Sequence, residues 1–336
     1  MWQAWWLLME PRGSSDPVRV GFIGAGRLAT HVHYPSLDEL DTASLVAITD
    51  IDQPRLLATS NRYNICGRYT HHRDMLDKEV LDAVYVVMPP HLLHDIVIDC
   101  LEAGKHVFVE KPPGTTTYQT EAFAWYAAKH GCLTMTGFNR RFVPLLRRCK
   151  ELVEAAGSIH LTVASFHKQD HDPDDFGFHR GAVSHLTSDV IHAVDALRWI
   201  AGGNVKEIAA HARSVDRPYP NTYAALIDFD TGCSGILVAS RRSGTRRHHF
   251  EFHGGDVAVY SDDQHRAELF TGESDTPTVL LGKDLAHSTA DHHLFGFFDE
   301  NRHFIESIQK DIEPLTNFAD AVKTMRLVDQ IAAQAR

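Results

Sequence analysis

The chain has no paired cysteines. Its five, Cys66, Cys100, Cys132, Cys149 and Cys233, are scattered, odd in number and form no CxxC motif. That excludes a disulfide framework and a thiolate zinc module, and it fits buried free thiols in a reducing compartment. Basic charge is also scarce: 33 Lys and Arg against 44 Asp and Glu give a net charge of −11, which argues against nucleic acid or an anionic membrane as a partner. Long apolar runs are missing too. The opening MWQAWWLLME has no basic segment and is followed at once by Pro11, so it reads neither as a secretory signal nor as a span of roughly 20 apolar residues. Residues 1–16 are expected to be an extension outside the fold, with Met9 as a candidate start, and the protein is expected to be cytoplasmic. Repeats, low-complexity tracts and long flexible linkers are absent.

What is present is an alternation. Apolar runs at Val18–Ile23, Ser44–Thr49, Ala83–Met88, His106–Val109 and Leu133–Gly137 predict strands. Helical patterns at Arg27–Leu40, Gln53–Ser60, Leu92–Ala103 and Tyr118–His130 separate them. Short apolar strands alternating with helices predict a parallel sheet covered on both faces. After a helix at Val143–Ala155 and a strand at Ile159–His167 the rhythm changes. Strand-like runs then follow closely at Val205–Val215, Thr222–Phe229, Cys233–Arg241, His249–His253, Val257–Tyr260, Glu268–Thr271 and Thr278–Leu281. Strands joined directly predict an antiparallel sheet. Helices around Leu294–Lys310 and Asn317–Ala335 close the chain. The expected division is a first α/β domain at 17–140 and a second at 141–336, whose last helices pack back on the first.

Gly24-Ala25-Gly26-Arg27-Leu28-Ala29 is a GxGxxA turn between a predicted strand and a helix. The first glycine permits the tight turn, and the second removes a Cβ that would collide with a pyrophosphate on the helix N-terminus. Asp50 ends the next strand, where a carboxylate accepts hydrogen bonds from ribose hydroxyls and repels a 2′-phosphate. NAD is therefore the expected cofactor. Arg55 nearby, and a gap from Gly24 to Asp50 somewhat longer than the usual roughly 20 residues, leave NADP open. Lys111 follows the His106–Val109 strand, at the end of a parallel sheet where ligands bind. A lysine there can orient a substrate hydroxyl and stabilise a developing alkoxide.

On a predicted 188–202 helix, Val190, Ala193, Val194, Leu197 and Ile200 share one flank. Ser188, His192 and Asp195 fall on the other, with Asp189 at its margin; in isolation this reads as a solvated helix face. Asp189 and His192 are an i,i+3 pair, so the carboxylate is expected to tune a histidine titrating near neutrality, suited to proton transfer. The 23 histidines include His71-His72, His248-His249 and His292-His293 and the spaced pairs His91/His94 and His167/His171. None sits on a clear helix with a third carboxylate or thiolate in register, so no metal centre is expected. His171, in the polar Gln169–Gly181 loop, is a candidate substrate contact.

Taken together, these residues resemble the family of glucose–fructose oxidoreductase, inositol dehydrogenase and MocA-type proteins. The resemblance runs from Val18 to the C-terminus. It adds Val87-Met88-Pro89-Pro90, Glu102-Ala103-Gly104-Lys105-His106-Val107, Glu110-Lys111-Pro112, Gly137-Phe138-Asn139-Arg140-Arg141-Phe142, His192-Ala193-Val194-Asp195 and Ala319-Asp320-Ala321-Val322-Lys323. It implies a Rossmann domain followed by an α/β domain with an open, mainly antiparallel sheet, through which homodimers or homotetramers form. By the same resemblance Lys111 and His192 match the family's catalytic lysine and histidine. Gly24, Ala25, Gly26, Arg27, Leu28, Asp50, Met88, Pro89, His91, Glu110, Lys111, Asn139 and Arg141 fall at cofactor positions. Lys111, Arg140, His171, Asp189 and His192 fall at substrate positions. One departure stands out: relatives place an aspartate four residues before the histidine, where this chain has Ser188, with Asp189 one residue later.

The implied activity is hydride transfer between NAD, or NADP, and a secondary alcohol of a sugar, polyol or cyclitol, with Lys111, His192 and Asp189 as catalytic groups. Two alternatives stay open: a glycosidase of the same fold that retains its NAD, and a dinucleotide-sensing regulatory protein. The second has no need of Lys111 and His192.

Overall fold

The computed structural model describes residues 16–169, 183–272 and 275–334. Most of the opening extension and nearly all of the Gln169–Gly181 loop, His171 included, lie outside the described residues.

Six strands form the first sheet: β1 (Val18–Ile23), β2 (Ala43–Thr49), β3 (Gly67–Tyr69), β4 (Ala83–Val86), β5 (His106–Glu110) and β6 (Thr134–Gly137). Their order is β3-β2-β1-β4-β5-β6 and every pairing is parallel. The helices between them are α1 (Tyr34–Asp38), α2 (Gln53–Arg62), α3 (His72–Lys78), α4 (Leu93–Glu102) and α5 (Thr117–His130). This is the doubly wound Rossmann arrangement, with its strand order reversing beside β1. The central strands are buried on both faces, β4 entirely, as the unbroken run Ala-Val-Tyr-Val requires. The expected Arg27–Leu40 helix is present from Arg27 to Asp38, widened to a π-type turn at Ala29–His33 before it continues as α1.

The second half comprises α6 (Pro144–Ala156), β7 (Ile159–Gln169), α7 (Ile191–Ala201) and the strands β8 (Val205–Arg213), β9 (Thr222–Phe229), β10 (Ser234–Ser240), β11 (Arg242–Gly254), β12 (Val257–Asp262), β13 (Arg266–Phe270) and β14 (Thr278–Leu281). The order is β14-β13-β12-β11-β7-β10-β9-β8, antiparallel except where β10 lies parallel to β7. Helices α6 and α7 cover one face, and their apolar residues share a core with Phe166, Leu237, Phe250 and Phe252. Four short or long helices end the chain: α8 (Gly282–Leu285), α9 (Asp291–Leu294), α10 (Phe297–Lys310) and α11 (Phe318–Ala332).

The last two helices join the halves. Phe304, Ile305 and Ile308 of α10 enter the core of the first sheet, and Phe318 at the start of α11 joins the core beneath α4 and α5. Further along α11, Met325, Val328 and Ile331 pack into the second core. A buried ionic knot reinforces the joint. Arg141 donates to both oxygens of Asp195 at 2.8 and 2.6 Å, and its guanidinium lies 2.8 Å from Asp320. Thr324 donates to Asp195 at 2.8 Å, and Arg198 pairs with Asp320.

Candidate active site

The glycine turn is built for a close-lying ligand. Gly24 has φ +110°, and a Cβ there would meet the Val87 carbonyl oxygen at 2.2 Å, so glycine is required by the fold itself. At Gly26 an added Cβ would meet nothing within 4 Å. The fold leaves that space open, as a pyrophosphate resting on the helix start requires. Asp50, 7% exposed, accepts from the Ala25 amide at 2.7 Å, the Asp52 amide at 2.8 Å and Arg55 at 3.0 Å. Burial opposes its ionisation, but the two amides and the guanidinium outweigh it and hold the carboxyl below its ordinary range. Arg27, Leu28, Pro89 and His91 are exposed and Met88 is half-buried, so the rim of the crevice is accessible. These residues fit a dinucleotide across the carboxyl ends of β1, β2 and β4.

At the end of β5, Glu110 is clamped. Its carboxylate takes the Lys111 amide at 2.9 Å and lies 3.0 Å from His33 Nε2. The buried His33 ring lies in turn 3.2 Å from Asn301 of α10. Lys111 extends away from this clamp, and its Nζ donates to the Ser188 carbonyl at 2.9 Å. Ser188 belongs to a second π-type turn, Leu186–Val190, which leads into α7. Such widened turns recur at functional sites because they re-aim backbone and side chains. Lys111 thereby comes to the helix that carries His192.

The flank holding Ser188, His192 and Asp195 is not a solvated face. Ser188 is 2% and Asp195 0% exposed, and His192 is half-buried with its Nδ1 enclosed and without a hydrogen-bond partner. Lys111, Arg141 and, from α11, Thr324 close over this flank, which periodicity within the helix cannot reveal. Nor does Asp189 tune His192. Its oxygens are taken by Lys168 of β7 and Arg241, beside β10, because the π turn breaks the 3.6-residue period on which an i,i+3 pairing depends. Burial, followed by the charges of Lys111, Arg140, Lys168 and His248, pushes His192 well below its usual value rather than leaving it near neutrality. The imidazole is therefore neutral at pH 7 and free to accept a proton. Burial opposes ionisation of Asp189 as well, yet Lys168, Lys111 and Arg241 together hold it below the ordinary range. Burial lowers Lys168 to about 8 against the pull of Asp189.

Around this centre Phe166 stacks on His248 with ring centroids 3.7 Å apart. His248 lies 3.1 Å from Asp263, which also pairs with Arg140 at 3.3 Å. Arg140 thus borders the His192 side. Its neighbours Asn139 and Arg141 are anchored elsewhere. Asn139 donates to the Phe295 carbonyl at 2.9 Å, with its own side-chain oxygen buried and unpartnered, and Arg141 faces the Asp195–Asp320 knot.

Four participants escaped the sequence reading. Lys168 and Arg241 were legible in principle, since Ala164, Phe166 and Lys168 lie on one face of β7, as Leu237, Ala239 and Arg241 do along β10. Glu300 of α10 and His33 carried no such signal. Glu300 is fully buried, neither of its carboxyl oxygens has a partner, and burial with Glu110 and Asp195 nearby raises it well above its usual value.

Residues 18–138 match the family described as an oxidoreductase family with an NAD-binding Rossmann fold, and residues 146–259 match the C-terminal domain of the GFO/IDH/MocA proteins. The chain belongs to the GFO/IDH/MocA family of NAD-binding oxidoreductases. Among its relatives, myo-inositol 2-dehydrogenase of Thermotoga maritima is 26% identical over 92% of this chain and 94% of its own length. A dehydrogenase from Chromobacterium violaceum superposes with a TM-score of 0.87 at 20% identity, covering 95% of this chain and 96% of its own. Levoglucosan dehydrogenase, solved with NADH and levoglucosan, gives 0.83 at 18% identity, covering 95% and 97%. At those identities the superpositions speak for the fold alone.

Proposed function

We propose that this protein is an NAD(P)-dependent dehydrogenase that interconverts a secondary alcohol of a sugar, polyol or cyclitol with the corresponding ketone, NAD being the favoured cofactor. The observation that supports it most is the bond from Lys111 Nζ to the Ser188 carbonyl, 2.9 Å long, which ties the lysine at the end of β5 to the turn just before His192. A dinucleotide on the glycine turn, Lys111 at the end of β5 and His192 on the facing helix then share one crevice. Bound nicotinamide supplies the acceptor for the hydride leaving the alcohol carbon. Neutral His192 takes the hydroxyl proton, and the Lys111 ammonium donates to the same oxygen as negative charge develops on it. Asp189 holds Lys168 and Arg241 beside the reacting pair and so positions cations at the substrate's edge, and Arg140 borders the same space.

A positioned acid–base group is worth about 10²–10⁴-fold in rate. His192→Ala is therefore expected to lower turnover by about that factor while NADH binding, followed by fluorescence, stays near the parent value. Near-normal turnover in the variant would remove His192 from the mechanism.

A further inference from the structure

We propose a divalent transition-metal site at Glu39, His292 and His293, outside the crevice described above. Glu39 stands just beyond α1, and the two histidines are neighbours on α9. His292 Nε2 lies 2.7 Å from one oxygen of the Glu39 carboxylate and His293 Nε2 lies 2.8 Å from the other. One ligand atom from each of the three residues falls within 4.8 Å of the other two. Ligands about 2.0–2.2 Å from a common zinc ion are spaced on this scale, so the ion enters with only small side-chain adjustments. The sequence concealed the set, because Glu39 and His292 are 253 residues apart.

The donors choose the ion. Two imidazoles and one carboxylate suit zinc and its first-row neighbours, whereas magnesium and calcium prefer all-oxygen shells. Three protein ligands leave a fourth tetrahedral position for water. Glu39 is exposed and the two histidines are half-buried, so an ion can enter from solvent. The His293 ring is fixed against Phe298 of α10, centroids 4.4 Å apart. A separate pair, His31 with Asp291 at 2.9 Å, joins the same two segments and holds them together without metal. The bound ion would clasp the helix that follows the glycine turn to the segment leading into α10, the helix that spans the two halves.

The test is zinc titration of the full chain, stripped with chelator, against a competing chromophoric chelator, with thermal melting read alongside. One tight equivalent per chain is expected, with a rise in melting temperature that magnesium does not produce. The double variant His292→Ala/His293→Ala should lose that equivalent, and Glu39→Gln, which keeps the shape of the side chain, should bind at least about tenfold more weakly, since a charged donor is replaced by a neutral one. Lys111→Ala should bind zinc as the parent does, which separates this site from the catalytic reading. No tight equivalent in the parent, or unchanged binding in Glu39→Gln and the double variant, would overturn the proposal.

Discussion

At the scale of single residues, the proposed chemistry turns on His192. Its charged form is disfavoured by burial and by Lys111, Arg140, Lys168 and His248 around it, so the imidazole keeps its proton-accepting form well below the usual 6.5. The sign follows directly: a lowered histidine pKa extends the active base form toward acid. In alcohol oxidation, kcat/KM should hold level from neutral pH to well under pH 6.5 on the limb that this group controls. A fall centred near pH 6.5, lost in His192→Ala, would contradict that picture. Lys111 could be singled out in the sequence because it follows a buried strand, and His192 because it shares a predicted helix with Asp189 and matches the family's histidine. The partners of Asp189 could not, because they arrive from β7 and from the end of β10, and only strand pairing reveals which side chains face the helix.

At the scale of elements, the glycine turn separates two demands that sequence alone merges. Gly24 is required by backbone geometry, with φ +110° and no room for a Cβ beside Val87. Gly26 is required by none of the protein's own atoms, since nothing lies within 4 Å of its absent Cβ. Gly24→Ala should therefore lower the melting temperature. Gly26→Val should leave melting near the parent value and weaken NADH binding, as read by fluorescence titration. Equal NADH affinity in Gly26→Val would mean that the open space serves no pyrophosphate. β9, with its strong alternation, and β14, a short apolar run, were readable to the residue. The short β3 and α3 were missed, lying in a polar stretch that has no apolar run. The first half of β11 hid behind Arg242 to His249, charged and imidazole side chains that mask a strand's period. The two π turns left no trace, because a hydrophobic pattern reports a period of 3.6 and not a single widened turn.

At the scale of the whole molecule, two sheets are held together by α10, α11 and the Arg141–Asp195–Asp320 knot, and the crevice lies where they meet. Four of the five cysteines are buried and Cys66 is exposed. Among the described residues no helix is long and apolar enough to cross a membrane. Leu226, Val238, Tyr260 and Val279 are exposed on the second sheet, and the proposed self-association through that sheet would cover them. Light scattering should give a mass of at least two chains, and a single-chain mass at micromolar concentration would remove that reading. The fold class was legible because alternation and turn residues are local properties. The substrate was not, since the pocket is assembled from separate strands and helices. The central claim is hydride transfer that depends on Lys111. It is tested most directly by following nicotinamide absorbance with NAD⁺ and NADP⁺ across inositols, aldoses, sugar acids and amino sugars, with Lys111→Ala in parallel. The account predicts reduction by at least one class of polyhydroxylated substrate, faster with NAD⁺ and lost in the variant. Silence across the panel from folded protein that binds NADH, or equal rates in Lys111→Ala, would contradict it.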